Sequence, residues 1–379
     1  MQIDDYRKQI DDIDSQLVEL YLKRMDIAKE IGRLKGVSGS SVNVPSREQE
    51  VISRLADMTD DSEMKAYIKQ LYSTIFSTSK SYQSSVISMD NQLVKDIHDA
   101  LSSDRHFPVS ATVACQGVDG AYSKVAADKL FDIPKVTYFK NFDAVFSAVD
   151  KGLCRYGVLP IENSNTGSIS QVYDLMRKHS FYIVGSVRVH VKHTLASVKG
   201  ATIGGIKKVY SHEQGLLQCD KYLKSLGVET VIVENTALAA RMVAEAGDTS
   251  IAAICSPLAS EIYSLSVLAD DVQDNRDNYT RFICVSKHMQ IFNHADKISI
   301  MLNASHTPGS LNKLLSRFSA LGLNLTKLES RPVGNSHFEF MFYFDFEADI
   351  EDVRVVNLLA ELDDGAGNFT FLGSYKEKI

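Results

Sequence analysis

Residues 3–35 read IDDYRKQIDDIDSQLVELYLKRMDIAKEIGRLK. Apolar side chains fall at Ile3, Tyr6, Ile10, Ile13, Leu17, Leu20, Ile27, Ile31 and Leu34, in steps of three and four, and the one step that breaks the run lands on Arg24. This spacing predicts one long helix with a heptad-like seam, ended by Ser38-Gly39-Ser40-Ser41. A lone guanidinium is costly to bury on such a seam. Either something anionic meets Arg24, or its stem lies in the groove while its head reaches water.

More cations lie on the same element. Lys35 is about three turns beyond Arg24, and Arg7 lies roughly 25 Å before it at the helical rise per residue. One small ligand cannot touch both ends of one helix, but in an antiparallel pair of chains Arg7 of one approaches Arg24 and Lys35 of the other. A second helix is expected from Pro45, with Glu48 on the face of Val51, Ile52 and Leu55. A third runs from about Ser62 to about Val86, with Met64, Ile68, Leu71 and Ile75 inward and Ser79 and Gln83 continuing that face. Arg24, Lys35, Glu48, Ser79 and Gln83, all polar at core positions, point to a polar ligand inside a helix bundle.

Arg7, Leu22 to Ala28, Ile31 to Lys35, Arg47-Glu48, and Ser79 with Gln83 resemble the all-helical chorismate mutase family. The resemblance implies an intertwined dimer in which Arg7 of the partner subunit and Arg24 hold the carboxylates of chorismate. It also places Lys35 and Gln83 at the ether oxygen, Glu48 at the ring hydroxyl, and Arg47 and Ser79 among the substrate-binding residues. Such a rearrangement needs no nucleophile and no proton transfer, only a compact conformer and stabilised charge on the ether oxygen.

After a polar stretch, apolar β-rich runs alternate with helical segments: Ala111–Cys115, Val136–Phe139, Tyr156–Leu159, Tyr182–Val189, Val209–Tyr210, Val231–Val233, Ile251–Ile254 and Phe282–Val285. This is the pattern of an α/β fold with mostly parallel strands. Polar motifs follow the strands, where open α/β sheets form their ligand crevice: Gln116 to Ser123, Pro160 to Ser164, Ser211 to Gly215, Glu234-Asn235-Thr236 and Cys255-Ser256. Each alone also reads as an ordinary helix cap or turn. Gly117-Val118-Asp119-Gly120 has neither a dinucleotide nor a phosphate-loop pattern, and no GxSxG elbow occurs. His190 and His193 would point to opposite faces of a strand, a poor metal pair.

Gly120 to Ser123, Pro160 to Ser164, Val209 to His212, Gln218-Cys219 and Thr280-Arg281-Phe282, in that order, resemble the prephenate dehydratase family. The resemblance implies two α/β subdomains around a cleft, of the periplasmic-binding-protein-like kind. It makes Thr280 the residue that helps expel the ring hydroxyl as carbon dioxide leaves, with Glu162, Asn163, Ser211, Gln214 and Gln218 lining the substrate. Thr280 would donate a hydrogen bond or relay a proton, for which Glu162 is one candidate source.

Beyond His288 the periodicity changes. Ile298, Ile300 and Leu302 alternate, Leu311, Leu314, Leu315, Phe318 and Leu321 are helical, and Phe338, Phe340, Phe342, Phe344 and Phe346 alternate again. Strand, helix, strand, strand, helix, strand is a ferredoxin-like α+β order, with the phenylalanine face under the helices. His306-Thr307-Pro308-Gly309-Ser310-Leu311 at a helix start and Glu329-Ser330-Arg331-Pro332 at a strand end resemble the ACT regulatory domain. By that resemblance they bind phenylalanine between paired domains, and cutting the chain before Asp296 should leave a core that ignores it.

The remaining features narrow the class. At ~100–200 residues per domain the chain holds two or three folded units. Its 44% apolar and 23% charged composition is globular, and its net charge of −7 weighs against nucleic acid. The acidic start and the absence of long apolar runs weigh against export and a membrane span. Five scattered cysteines without a CxxC pair fit a reducing cytoplasm. The expectation is a multidomain chain: a helical mutase bundle over 1–90, a linker over 91–108, a dehydratase over 109–288 and an ACT domain over 296–379. It would act on chorismate and prephenate under phenylalanine feedback, as a homodimer or dimer of dimers, with no cofactor or metal. Competing readings are a dehydratase with a mutase-like dimerisation domain, a dehydratase that uses arogenate, and a non-catalytic small-molecule sensor.

Overall fold

The computed structural model describes residues 3–38, 45–87, 91–303, 309–332, 340–365 and 368–379. The chain divides into two compact units, residues 1–99 with 297–371 and residues 100–296 with 372–379.

The first unit opens with α1 (Ile3–Ser38), α2 (Pro45–Ala56) and α3 (Ser62–Ile87). Asp4 and Asp5 in the first turn of α1 and Lys35 in its last complement the helix dipole. Both α1 and α2 pack on α3, yet the seam of α1 stays uncovered within one chain. Ile10, Ile13, Leu17 and Leu20 are each more than half exposed. Met64 and Leu71, expected to face inward, are exposed as well, and the buried apolar residues described in these helices are Ala28 and Ala56. α3 covers one side of α1 and leaves the other as an apolar stripe.

A further helix, α4 (Gln92–Ser102), occupies the stretch read as a polar linker. Its Leu93, Ile97, Ala100 and Leu101 fall at helical spacing, and Ile97 and Ala100 are buried. Lys95, Asp96, His98 and Asp99 among neighbouring polar residues mask that pattern in the sequence.

In the second unit, one subdomain is built from β1 (Ser110–Gln116), α5 (Tyr122–Leu130), β2 (Ile133–Phe139), α6 (Phe142–Asp150), β3 (Tyr156–Asn163), β4 (Gly167–Ser168), α7 (Ser170–His179) and β5 (Tyr182–His190). The chain then crosses to β6 (Thr194–Ser197), β7 (Lys208–Ser211), α8 (Glu213–Gln218), α9 (Asp220–Leu226), β8 (Glu229–Ile232), α10 (Thr236–Ala246), β9 (Ile251–Cys255), α11 (Pro257–Ile262) and β10 (Ser266–Ala269), and returns to the first subdomain as β11 (Tyr279–Ser286). The second sheet has the order β10-β6-β9-β7-β8. All eight expected strands are present, but the sheets are mixed rather than mostly parallel. β11 runs antiparallel to β3 and β5, and β6 antiparallel to β9 and β10. Val113, Cys115, Tyr156, Val158 and Phe282 fill one core, and Leu195, Val209, Leu216 and Ile254 another. All five cysteines are free and buried, and burial pushes the thiols of Cys115, Cys219 and Cys255 up to about 12, leaving them unreactive at neutral pH.

The last elements are β12 (Lys297–Asn303), α12 (Ser310–Ala320), β13 (Asn324–Pro332), β14 (Phe340–Glu347), α13 (Val353–Gly365) and β15 (Thr370–Tyr375), with sheet order β13-β14-β12-β15. This is a βαββαβ arrangement of the ferredoxin-like kind. Phe318 on α12 packs on Phe344 and Phe346, with ring centroids 5.6 and 5.1 Å away, which puts the phenylalanine face under a helix. Phe338 lies outside the described residues. A two-residue strand, β16 (Glu377–Lys378), then joins the first sheet beside β5, giving the order β16-β5-β11-β3-β1-β2 with β4 on β3.

Candidate active sites

In the helical bundle one cavity of about 380 Å³ collects Arg24, Lys35, Arg47, Glu48, Phe76, Ser79, Lys80 and Gln83 over an apolar floor of Ile27, Ala28 and Ile31. Four of these side chains are cationic and one is acidic, an imbalance that suits a dianion. Arg24 donates to Ser79 Oγ and lies over the Phe76 ring, 5.0 Å from its centroid, so its head is held against the cavity wall. Ser79, 2% exposed, passes its own proton to the Ile75 carbonyl at 2.8 Å and is thereby fixed as an acceptor for Arg24. Glu48 is paired with Lys80 at 3.0 Å, and Arg47 turns outward to Glu50 at 3.2 Å. The carboxamide of Gln83 is 8% exposed, and its Oε1 has no partner among the described residues. A buried acceptor left short of a bond calls for a donor from water or a ligand. Arg7 stands apart, exposed near the start of α1 and paired with Asp4 at 3.1 Å. Lys80 was not singled out in the sequence, because it sits one position off the face that carries Ser79 and Gln83.

The second site lies where β11 meets β3. Register pairs Thr280 with Asn163 and Arg281 with Glu162. Neighbouring residues of a strand face opposite ways, so Thr280 and Asn163 share one face while Arg281 and Glu162 share the other. Asn163 Nδ2 donates to Thr280 Oγ1 at 2.9 Å and to Asn278 Oδ1 at 2.7 Å, and its Oδ1 accepts the backbone N–H groups of Asn165 and Thr166 at the turn into β4. Thr280 therefore accepts through its oxygen and keeps its proton for another partner.

The network continues into the second subdomain. Asn278 Nδ2 donates to Gln218 Oε1 at 3.1 Å, and His193 Nε2 lies 2.9 Å from the same oxygen. A carbonyl oxygen only accepts, which places the imidazole proton on Nε2. Burial lowers the pKa of His193 and keeps the ring neutral, and its Nδ1 has no partner among the described residues. Thus a chain of amides from β11 and β3 reaches α8 and the crossover between β5 and β6. Gln273 Oε1 accepts the His193 backbone N–H at 2.9 Å.

The loop after β1 closes against the second subdomain. Ser256 caps α11 and donates to the Gly120 carbonyl at 2.8 Å, Tyr263 donates to the Asp119 carbonyl at 3.0 Å, and Tyr122 donates to the Lys192 carbonyl. Gly120 has φ +84°, and a Cβ there would stand 2.8 Å from the Ala259 Cα. Ser211 is fully buried, with its hydroxyl given to the Ile254 carbonyl at 2.7 Å, while Gln214 lies exposed in the first turn of α8. Glu162, read as one candidate proton source, lies on the face of the strand opposite Thr280 and is paired with Arg281 at 3.1 Å. Asn278 and His193 were missed as site residues. A period of two from Thr280 would have found Asn278, since 278 and 280 share a face, whereas His193 has no local signal.

In the βαββαβ unit, Gly309 caps α12, Ser310 and Leu311 begin it, and Glu329, Ser330 and Arg331 lie near the end of the edge strand β13. Residues 304–308, ahead of that helix, lie outside the described residues. No described helix is long and apolar enough to cross a membrane.

Residues 6–84 match the family model for chorismate mutase type II, and residues 113–290 match that for prephenate dehydratase. The solved structure of prephenate dehydratase from Arthrobacter aurescens in complex with L-Phe is similar at 28% identity and a TM-score of 0.64, covering 70% of this chain and 89% of that one. The chloroplastic arogenate dehydratase/prephenate dehydratase 2 of Arabidopsis thaliana is 40% identical over 274 residues, 69% of this chain and 72% of the relative. The bifunctional chorismate mutase/prephenate dehydratase of Aquifex aeolicus (strain VF5) is 30% identical across 100% of this chain and 99% of its own length. A helical isomerase site and an α/β lyase site on one chain define a two-reaction enzyme. The chain belongs to the bifunctional chorismate mutase/prephenate dehydratase family. It rearranges chorismate to prephenate, then dehydrates and decarboxylates prephenate to phenylpyruvate.

Proposed function

We propose that the two reactions run at the two separate sites just described, with residues 1–90 carrying the mutase, 109–288 the dehydratase and 296–379 regulation. In the bundle, Arg24 and Arg7 of the partner subunit hold the two carboxylates, Lys35 and Gln83 meet the ether oxygen, Glu48 meets the ring hydroxyl, and Arg47 and Ser79 complete the binding surface. The cationic cavity supports this reading, since preorganised donors around a developing oxyanion are all the rearrangement requires. The exposed seam of α1 supports a homodimer, with a second copy covering the stripe.

In the cleft, Thr280 gives its hydrogen bond to the departing ring hydroxyl. The electron pair released as the carboxylate leaves becomes the new ring double bond, and the hydroxyl departs with a proton. Asn163 donating to Thr280 Oγ1 is the observation that carries this assignment, because it frees the threonine proton for the substrate. Gln218, Gln214 and Ser211 position the substrate directly or through the cleft wall, and Glu162 acts through Arg281. The Arabidopsis relative is named for arogenate as well as prephenate, so arogenate is a second substrate to assay.

Phenylalanine is the proposed effector, bound at an ACT domain by Gly309, Ser310 and Leu311, where free N–H groups of α12 suit a carboxylate, and by Glu329, Ser330 and Arg331. The L-Phe in the Arthrobacter aurescens complex supports this. The enzyme is assigned to the cytoplasm. The decisive experiment measures chorismate, prephenate and arogenate turnover in Arg24→Ala and Thr280→Val. The first is expected to lose mutase activity by about 10²-fold or more and keep dehydratase activity. The second is expected to do the reverse, losing about 10²-fold in dehydratase turnover. Loss of both activities in either folded variant would refute separate sites.

A further inference from the structure

Arg281 follows Thr280 directly, points to the other face of the sheet, and is 6% exposed as a side chain. Its Nη1 is 3.1 Å from Glu162 Oε1, its Nε is 2.8 Å from Glu377 Oε1, and its Nη2 donates to Tyr375 Oη at 2.6 Å. Arg188 closes the cluster from β5 by pairing with Glu377 Oε2 at 2.8 Å. Two cations thus face two carboxylates, and two of the groups that bind Arg281 come from the last five residues of the chain.

That tail is seated rather than loose. β16 pairs with β5 in parallel, with Glu377 opposite Ser186 and Lys378 opposite Val187. Lys378 Nζ donates to the carbonyls of Lys129 and Leu130 at 3.1 Å each, and the Lys376 carbonyl accepts the Ser186 N–H at 3.1 Å. Where the tail passes β5, Gly373 has φ +143°, and a Cβ there would sit 2.1 Å from the Ile183 carbonyl oxygen. Only glycine admits that approach.

The β11–β3 ladder does not hold the active segment by itself. Its register slips between Arg281 and Phe282, one residue beyond Thr280. Irregularities of this kind re-aim side chains beside active sites. With the β3 ladder interrupted there, this stretch of β11 is held by its regular pairing with β5, where Arg281 lies opposite Arg188, and by whatever anchors the Arg281 side chain. We infer that Arg281 is a positioning residue for the dehydratase, and that the C-terminal tail, through Tyr375 and Glu377, is what fixes it. This rests on the reading of Thr280 as the residue that meets the departing hydroxyl.

The test uses the full-length enzyme carrying Glu377→Gln, Glu377→Asp or Tyr375→Phe, with mutase turnover and thermal unfolding measured on the same preparations. Glu377→Gln is expected to lower kcat for prephenate by about 10- to 10²-fold with KM little changed, the cost of misplacing a reacting group. Mutase turnover should be retained. Glu377→Asp, which keeps the charge, is expected to retain more turnover than Glu377→Gln, and Tyr375→Phe to show a smaller kcat loss. Combined with Thr280→Val, Glu377→Gln should cause no further loss, because the tail acts through Thr280. A Glu377→Gln enzyme with a lowered unfolding temperature but an unchanged kcat would show that the cluster only stabilises the fold and overturn the proposal. Near-normal turnover by Thr280→Val would remove the reading of Thr280 and the proposal with it. A crippled Thr280→Val beside an undiminished Glu377→Gln would remove the proposal alone.

Discussion

His193 shows how much of a site's behaviour depends on one side chain's burial. Its folded-state pKa lies below the ordinary 6.5 because burial withholds the water that would solvate a charged ring. As pH falls through that ordinary value, the unfolded chain takes up a proton that the folded chain refuses. Stability contributed by the neutral ring is therefore complete above about pH 6.5, declines as pH falls toward the folded pKa, and stays lost below it. Urea denaturation at pH 7.5 and 5.5 should show a smaller loss of stability in His193→Gln than in the parent, and equal slopes would argue against this account. The same residue marks a limit of sequence reading. Arg24, Lys35, Glu48, Ser79 and Gln83 are legible because each interrupts an apolar period. His193 interrupts nothing, and its role depends on Gln218 and Asn278 arriving from distant parts of the chain.

Elements were most legible where a period ran long. The seam of α1 and the eight apolar runs in the α/β region each state their own structure, whereas β4, β6, β10 and β16 are two to four residues long and leave no comparable pattern. Pairing is a further step. Thr280 and Asn163 are both conspicuous in motifs, but they are 117 residues apart, and only the antiparallel register of β11 on β3 joins them. The turn after β1 couples elements in a way that can be tested. Gly120→Ala would force a side chain into the backbone of α11 at a positive φ, with strain of roughly 1–3 kcal/mol. Because that loop bonds to Ser256 and Tyr263 across the cleft, the variant is expected to lose prephenate turnover and dehydratase-unit stability while its mutase turnover is retained. Parental prephenate kinetics would show that the loop is not held by this contact.

At the scale of the whole molecule, Arg7 is far along α1 from the cavity that holds Arg24, and the proposed mutase site takes its Arg7 from the partner subunit. Mixing inactive Arg7→Ala and Arg24→Ala chains should therefore restore part of the chorismate turnover once subunits exchange, and no recovery after proven exchange would count against a shared site. The far end of the chain revises a simpler expectation. Read from sequence, residues 296–379 form one detachable regulatory unit. In the fold, residues 372–379 group with 100–296, and Tyr375 and Glu377 reach the strand that carries Thr280. Truncation before Asp296 is then expected to lower prephenate turnover by about 10- to 10²-fold rather than to yield a fully active, desensitised core. Replacing only residues 297–371 by a flexible Gly/Ser linker, with Leu372–Ile379 kept, is expected to restore turnover that phenylalanine no longer inhibits. If the truncation before Asp296 turns over prephenate at the parental rate, the tail has no part in the dehydratase and the boundary read from the sequence stands. Recovery in the linked chain but not in the truncated one would assign the loss to the missing tail, since apart from the linker the two chains differ only by Asp296 and the eight residues Leu372–Ile379.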